Sequence, residues 1–198
     1  MQALRAQGIA ISVLDVGGGL GVPYCLEVQE IADYAAIARD AARQAGCRLV
    51  LEPGRRIVAE AGALLTKVLY VKEGTAKTFV IVDAAMNDLI RPTLYDAYHP
   101  IVPVAEPARG AARQSVDIVG PICESGDFFA KERDMPPVKS GDILAITCAG
   151  AYGAVMSSSY NGRLLVPEVL VRGEHCAVVR PRPTYEDLIG RDRVPDWL

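Results

Sequence analysis

The chain has 198 residues, 51% hydrophobic and 23% charged, a composition that excludes a disordered, collagen-like or small disulfide-scaffold protein and allows a sizeable core. Its 21 Lys+Arg against 24 Asp+Glu leave a net charge of −3, so no basic excess exists to neutralise a nucleic-acid backbone. No apolar run approaches the roughly 20 residues of a membrane span, and Asp15 interrupts the only apolar stretch near the start, so neither a membrane segment nor a signal peptide is expected.

Residues 1–62 alternate strand, loop and helix. Ile9 to Val16 is a short β-branched run ending in three glycines, read as a buried strand. After the loop GGGLGVPY, Ile31, Tyr34, Ala35, Ala38, Ala41, Ala42 and Ala45 recur at helical spacing, which predicts an amphipathic helix over 30–45 stopped by Gly46. Arg48 to Leu51 reads as a second strand running into EPGRR, and Ile57 to Ala61 as helical. This is the βα grammar of a parallel sheet or barrel, although two such units cannot close a barrel by themselves.

From residue 63 the grammar changes. LLTKVLYVKEG, TFVIVDAA, SVDIVGP, GDILAITCAG and RLLVPEVLVRGEHCAVVRP read as strands separated by Gly-, Pro- and Asp-rich turns. The fold class expected is therefore α/β plus all-β: C-terminal βα units of a (β/α)8 barrel at 1–62, then an antiparallel β domain, sandwich or barrel, at 63–198. The tail from 184 is expected to hold a short helix. Five cysteines, 25, 47, 123, 148 and 176, include no CxxC pair. No zinc site or complete disulfide set follows, and reduced cytosolic thiols, mostly buried, are expected, with Cys123 the exception.

Several segments carry chemistry. LDVGGGLG (14–21) places Gly17, Gly18 and Gly19 directly after a strand. Glycines there let backbone N–H groups approach an anion, so the segment is a phosphate cradle or simply a tight turn. It is not a dinucleotide fingerprint, because the later glycine spacing differs and no acidic residue closes the next strand. LEPGRR (51–56) sets Glu52 at a strand end, Pro53 and Gly54 in the turn, and Arg55 or Arg56 as a fork for carboxylate or phosphate; a capped turn with a surface arginine is the alternative. In DLIRPTLYDAYHP (88–100), Arg91 and Tyr95 are four residues apart and converge if the segment is helical, with Pro92 favouring a helix start. VGPICESGDFFA (119–130) puts Cys123 beside Glu124 in a loop, a thiol able to move a proton and a carboxylate able to bind an ammonium group. CAGAYG (148–153) carries Tyr152 among small residues, near a ligand or in the core.

Taken in this order, LDVGGGLG, EPGR, IRPTLYDAYHP, GPICESGDFFA and GAYG resemble the second half of the diaminopimelate decarboxylase family, pyridoxal-phosphate (PLP) enzymes of the alanine-racemase-like type. The resemblance implies decarboxylation of meso-2,6-diaminoheptanedioate to L-lysine in lysine biosynthesis. Gly17, Gly18, Gly19 and the turn Pro53–Gly54–Arg55 would hold the PLP phosphate, Glu52 would pair with the pyridine nitrogen, and Tyr152 would contact the cofactor. Arg55, Arg91 and Tyr95 would hold a substrate carboxylate and Glu124 the distal amino group, with Tyr152 also at the substrate. Cys123 would be catalytic, reaching the site from the partner subunit of a cytoplasmic homodimer. The family's Schiff-base lysine matches none of the lysines here, so the chain is expected to be a C-terminal half, inactive alone. An ornithine- or arginine-type decarboxylase and a non-catalytic ligand- or partner-binding fragment are the rival readings.

Overall fold

The computed structural model describes residues 1–25, 28, 30–108 and 110–198. A one-turn helix, α1 (Gln2–Ala6), precedes β1 (Val13–Asp15), α2 (Ile31–Ala45) and β2 (Arg48–Val50). β1 and β2 pair in parallel, with Val13 opposite Arg48 and Asp15 opposite Val50. Parallel neighbours need a crossover, which α2 supplies. Its periodic alanines let it lie close, and Ala38 and Ala42 are buried. Gly46 ends it in the left-handed conformation, φ 59°, its N–H reaching the carbonyls of Ala42 and Arg43, as the stop signal in the sequence predicts. The first strand is shorter than the Ile9–Val16 run. The second turn of EPGRR is helical earlier than read: α3 spans Gly54–Val58, and a 3₁₀ turn follows at Ala59–Ala61.

The remaining strands are β3 (Leu64–Glu73), β4 (Thr78–Val82), β5 (Ile101–Pro103), β6 (Gln114–Val119), β7 (Phe128–Met135) and β8 (Ile143–Ile146), with α4 (Arg91–Tyr95) between β4 and β5. They form one six-stranded sheet in the order β5-β8-β3-β4-β6-β7. Val68, Val80, Val82, Ile118, Phe129 and Leu144 fill its core. In β3 only Thr66 and Val68 are fully buried, on the face that alternate residues share.

The sheet is mixed, which corrects the antiparallel expectation: β4 and β6 run parallel, Thr78 opposite Val116. The chain between them crosses to the far side of the sheet, where β5 pairs with β8, and returns to enter β6 in the direction of β4. The segment read as a loop at 119–130 also gives way to strand at Phe128. β9 (Glu168–Arg172) and β10 (His175–Arg180) form a separate antiparallel hairpin. α5 (Tyr185–Ile189) follows, started by a reciprocal cap between Thr184 and Asp187.

The cysteines depart from the expectation of burial. All five are free, but only Cys148 is buried; Cys47 is half-buried, and Cys25, Cys123 and Cys176 are exposed. Cys25 and Cys123 sit on loops and Cys176 on the exposed hairpin, where no core is available to take a thiol. No described helix is long and apolar enough to cross a membrane.

Candidate active site

The parallel register of β1 and β2 brings the two strand-end turns side by side. Asp15 Oδ1 accepts the Gly17 N–H at 2.8 Å, and the Glu52 N–H donates to the Gly17 carbonyl at 2.8 Å. Gly17 and Gly19 have φ of +69° and +88°, a region that disfavours side chains. A Cβ at Gly18 would lie 2.7 Å from the Glu52 carbonyl oxygen, so this glycine is required by the close approach of the two turns. A cleft of about 280 Å³ opens there, lined by Gly18, Gly19, Leu20, Glu52, Pro53, Arg55, Arg56 and Tyr152. Gly17 and Gly54 belong to the same two turns but do not line it.

Tyr152 arrives from the other half of the chain. The loop after β8 packs on α3 and the 3₁₀ turn through a seam of backbone: Ala149 N–H donates to the Gly62 carbonyl at 2.8 Å and Gly150 N–H to the Ala59 carbonyl at 3.0 Å. Tyr152 has φ 59° and is exposed. It is therefore a wall of the cleft and not the core tyrosine that the sequence left open.

A second cleft, about 520 Å³, adjoins the first and shares Arg55 and Tyr152 with it; Arg91, Tyr95, Ala97 and Met156 complete it. α4 places Arg91 and Tyr95 one turn apart, as their spacing predicts. Tyr95 is exposed, whereas Arg91 is 6% exposed. Arg91 Nη1 donates to the Tyr24 hydroxyl at 3.0 Å and contacts His99 Nε2 at 2.9 Å. Among the described residues no carboxylate pairs with it. A buried guanidinium lacking an anion is costly, and one lining a cleft is suited to bind a carboxylate.

Cys123 and Glu124 occupy the loop 120–127 and line neither cleft. Thr93 Oγ1 on α4 donates to the Gly126 carbonyl at 2.5 Å, so this loop is docked on the helix that carries Arg91. Tyr160 donates its hydroxyl to Glu124 Oε2 at 2.6 Å, and the lost proton would leave two anions in contact, so the Tyr160 pKa is raised. Asp127 closes the loop from inside: Oδ1 accepts the Met86 N–H at 2.7 Å and Oδ2 the Ile122 N–H at 2.6 Å. Asn87 and Arg163 hold the segment before α4. Arg163 Nε donates to Asn87 Oδ1 at 2.9 Å, and Asn87 Nδ2 donates to the Ser158 carbonyl at 3.0 Å. These supporting residues escaped the sequence reading. Thr93, Asp127, Tyr160 and Arg163 act across separations that local pattern does not record.

The glycine turn, the carboxylate of Glu52 and the guanidinium of Arg55 thus share one cleft, with Arg56 beside them ion-paired to Glu60. Residues 12–150 match the model of the pyridoxal-dependent decarboxylase, C-terminal sheet domain, and the chain belongs to that family. It is similar to diaminopimelate decarboxylase of Zymomonas mobilis, 48% identical over 199 residues, covering 99% of this chain and 47% of that protein. The Pseudomonas aeruginosa enzyme of the same name is 52% identical over 186 residues, covering 93% of this chain and 44% of its own length. Among solved structures, diaminopimelate decarboxylase from Helicobacter pylori complexed with L-lysine superposes with a TM-score of 0.85 at 42% identity, covering 96% of this chain and 47% of that one. The chain thus spans about half the length of the relatives it matches, and it aligns with their C-terminal half.

Proposed function

We propose that this chain forms the C-terminal half of a PLP-dependent decarboxylase that converts meso-2,6-diaminoheptanedioate to L-lysine and carbon dioxide. In this reading residues 1–62 are the closing βα units of a (β/α)8 barrel and residues 63–198 a β domain that brings substrate and interface loops to it. The observation that carries the reading is Arg91: buried, without a carboxylate partner among the described residues, and facing the same cleft as Arg55 and Tyr95.

The first cleft fits PLP in its donor set. Gly18 and Gly19 bring backbone N–H groups and Arg55 a cation to its phosphate, while Gly17, whose own N–H is held by Asp15, and Pro53 and Gly54 shape the two turns that carry them. Glu52 would keep the pyridine nitrogen protonated, and Tyr152 would border both cofactor and substrate. When bound, PLP supplies an electron sink for the pair left on carbon as carbon dioxide departs. Arg55, Arg91 and Tyr95 orient the substrate through the carboxylate that is retained. Glu124, on the same loop as Cys123 and outside the chain's own clefts, is assigned the distal ammonium group. Cys123, exposed on its loop and outside the chain's own clefts, is offered to the site of a second copy in a cytoplasmic homodimer, where it handles a proton at the reacting carbon.

That none of the lysines lines either cleft supports the reading in which the lysine that anchors PLP belongs to the other half of the enzyme and the isolated chain is inactive. The test is a chimera in which residues 1–198 replace the matching half of the Zymomonas mobilis relative. It should release L-lysine and carbon dioxide from meso-2,6-diaminoheptanedioate. Arg91→Ala should lower kcat/KM by about 10- to 100-fold, the loss of a charge-assisted contact. A chimera that prefers ornithine would overturn the substrate assignment.

A further inference from the structure

Arg91 is held by a histidine whose tautomer the fold fixes. His99 is 0% exposed. Its Nδ1 lies 3.0 Å from the Thr147 carbonyl oxygen and its Nε2 2.9 Å from Arg91 Nη1. A carbonyl only accepts and a guanidinium only donates. Nδ1 therefore carries the proton and Nε2 is the acceptor, which requires a neutral ring. Arg91 Nη1 shares its donors between His99 and the Tyr24 hydroxyl, and the Tyr24 ring meets the imidazole edge-on at 5.3 Å. Nε and Nη2 of Arg91 have no hydrogen-bond partner among the described residues and remain for a ligand.

We propose that His99 is the positioning residue of Arg91: its neutral imidazole holds Nη1 so that the rest of the guanidinium fork meets a ligand carboxylate, and protonation of the ring dismantles that hold. The inference rests on the carboxylate-binding role proposed above for Arg91.

The surroundings oppose protonation. Arg91 on α4 faces Nε2, Arg133 on β7 donates from Nη1 to the His99 carbonyl at 2.9 Å, and that guanidinium stacks 4.0 Å from the centre of the Tyr98 ring. The loop before α2 contributes Tyr24, and Cys25 lies near Arg133; the β8 end contributes only the Thr147 carbonyl. No carboxylate faces the ring among the described residues. Burial first, then the Arg91 and Arg133 charges, push the His99 pKa below its ordinary value, outweighing the bond to Thr147. Protonation would turn the acceptor at Nε2 into a donor facing a donor, with two cations in contact.

Nitrogen-15 NMR of the 198-residue chain tests this without a ligand. His99 should show a protonated Nδ1 and a bare Nε2, and should stay neutral below the pH at which an exposed histidine titrates. The Arg91 Nη protons should be resolved, because the bond to Nε2 slows rotation of the guanidinium. They should collapse in His99→Leu and persist in His99→Gln, whose amide oxygen can replace Nε2. If His99→Leu does not fold, acidification of the wild type applies the same test, the Arg91 signals collapsing as His99 protonates. A proton found on Nε2, or Arg91 signals indifferent to both changes, would overturn the inference. L-Lysine and cadaverine, which differ by the carboxylate, then separate the two readings in calorimetric titrations of the chimera. Protonation of His99 should weaken L-lysine about tenfold, equivalent to about 1.4 kcal/mol, and leave cadaverine unchanged. Equal loss of both ligands counts against the positioning role. Failure of Arg91→Ala to distinguish the two ligands at neutral pH refutes the carboxylate role of Arg91, whatever the NMR of His99 shows.

Discussion

Asp127 concentrates several constraints in one side chain. It is buried, accepts two backbone N–H groups, and leaves no room for a side chain at Gly120, whose Cβ would collide with both of its carboxylate oxygens. Burial is the largest influence on it and raises its pKa above 3.8; the Met86 and Ile122 N–H groups pull the other way without prevailing. A carboxyl whose folded pKa exceeds its unfolded value stabilises the fold most below the unfolded value and loses that contribution as pH rises through the folded one. Asp127→Asn removes the titration and turns an NH₂ toward one of the two N–H donors. It should cost about 1–3 kcal/mol, as expected for a buried donor left without its acceptor. Its deficit relative to wild type should narrow as pH rises from about 4 (near the unfolded carboxylate value) to 7. Urea unfolding of both proteins across that range measures the gap; a gap that widens with pH would contradict the assignment. Nothing in GPICESGD distinguishes this aspartate from a solvated loop residue. Its partners Met86 and Ile122 lie in two different segments, and only the fold brings them together. Glu52 and Arg91, by contrast, were legible because strand-end grammar and helical spacing place a side chain from its neighbours alone.

The elements repeat this division between local and distant causes. α2 and its glycine stop follow from periodic alanines and the φ of Gly46, both local properties. The short β5 offers only Ile101–Pro103 as a signal, and β7 hides its strand behind the charged stretch Lys131–Asp134, with Glu132 at φ 50° marking an irregular turn of the backbone. The parallel pairing of β4 with β6 is a property of the path between them, which neither strand's alternation encodes. The seam that carries Tyr152 is also non-local. A Cβ at Gly150 would strike the Val58 carbonyl, and one at Gly62 would lie 2.6 Å from Gly150 Cα. Gly150→Ala must therefore separate the loop after β8 from α3, at a cost of about 1–3 kcal/mol, typical of overpacking. Gly54→Ala is the control. A Cβ there meets nothing within 4 Å, and alanine is the better helix former, so stability should hold or rise. Thermal unfolding compares the two; equal effects would mean that the seam tolerates expansion.

At the scale of the whole molecule, apolar surface is distributed unevenly. The six-stranded sheet buries Val68, Val80, Val82, Val116, Ile118 and Phe129, whereas every residue of β10 is exposed and Leu170 and Val171 of β9 remain 63% and 66% exposed. A two-stranded hairpin is marginal without a packed face. Its ladder of hydrogen bonds stands in water on both sides, so opening it exposes little additional apolar area. Local opening of β9 and β10 should then occur far more often than opening of β3, β4 and β6, whose amides are shielded by the core. The chain's single tryptophan, Trp197, follows α5 and is likewise 82% exposed. Hydrogen exchange should give the hairpin amides protection near that of an unfolded chain while β3, β4 and β6 exchange only on global unfolding. Trp197 should emit at the long wavelength of a hydrated indole and be quenched freely by iodide. Slow hairpin exchange in the dilute chain would show that these strands already bury their valines, and a blue-shifted, unquenched tryptophan that the end of the chain packs otherwise than the structure describes.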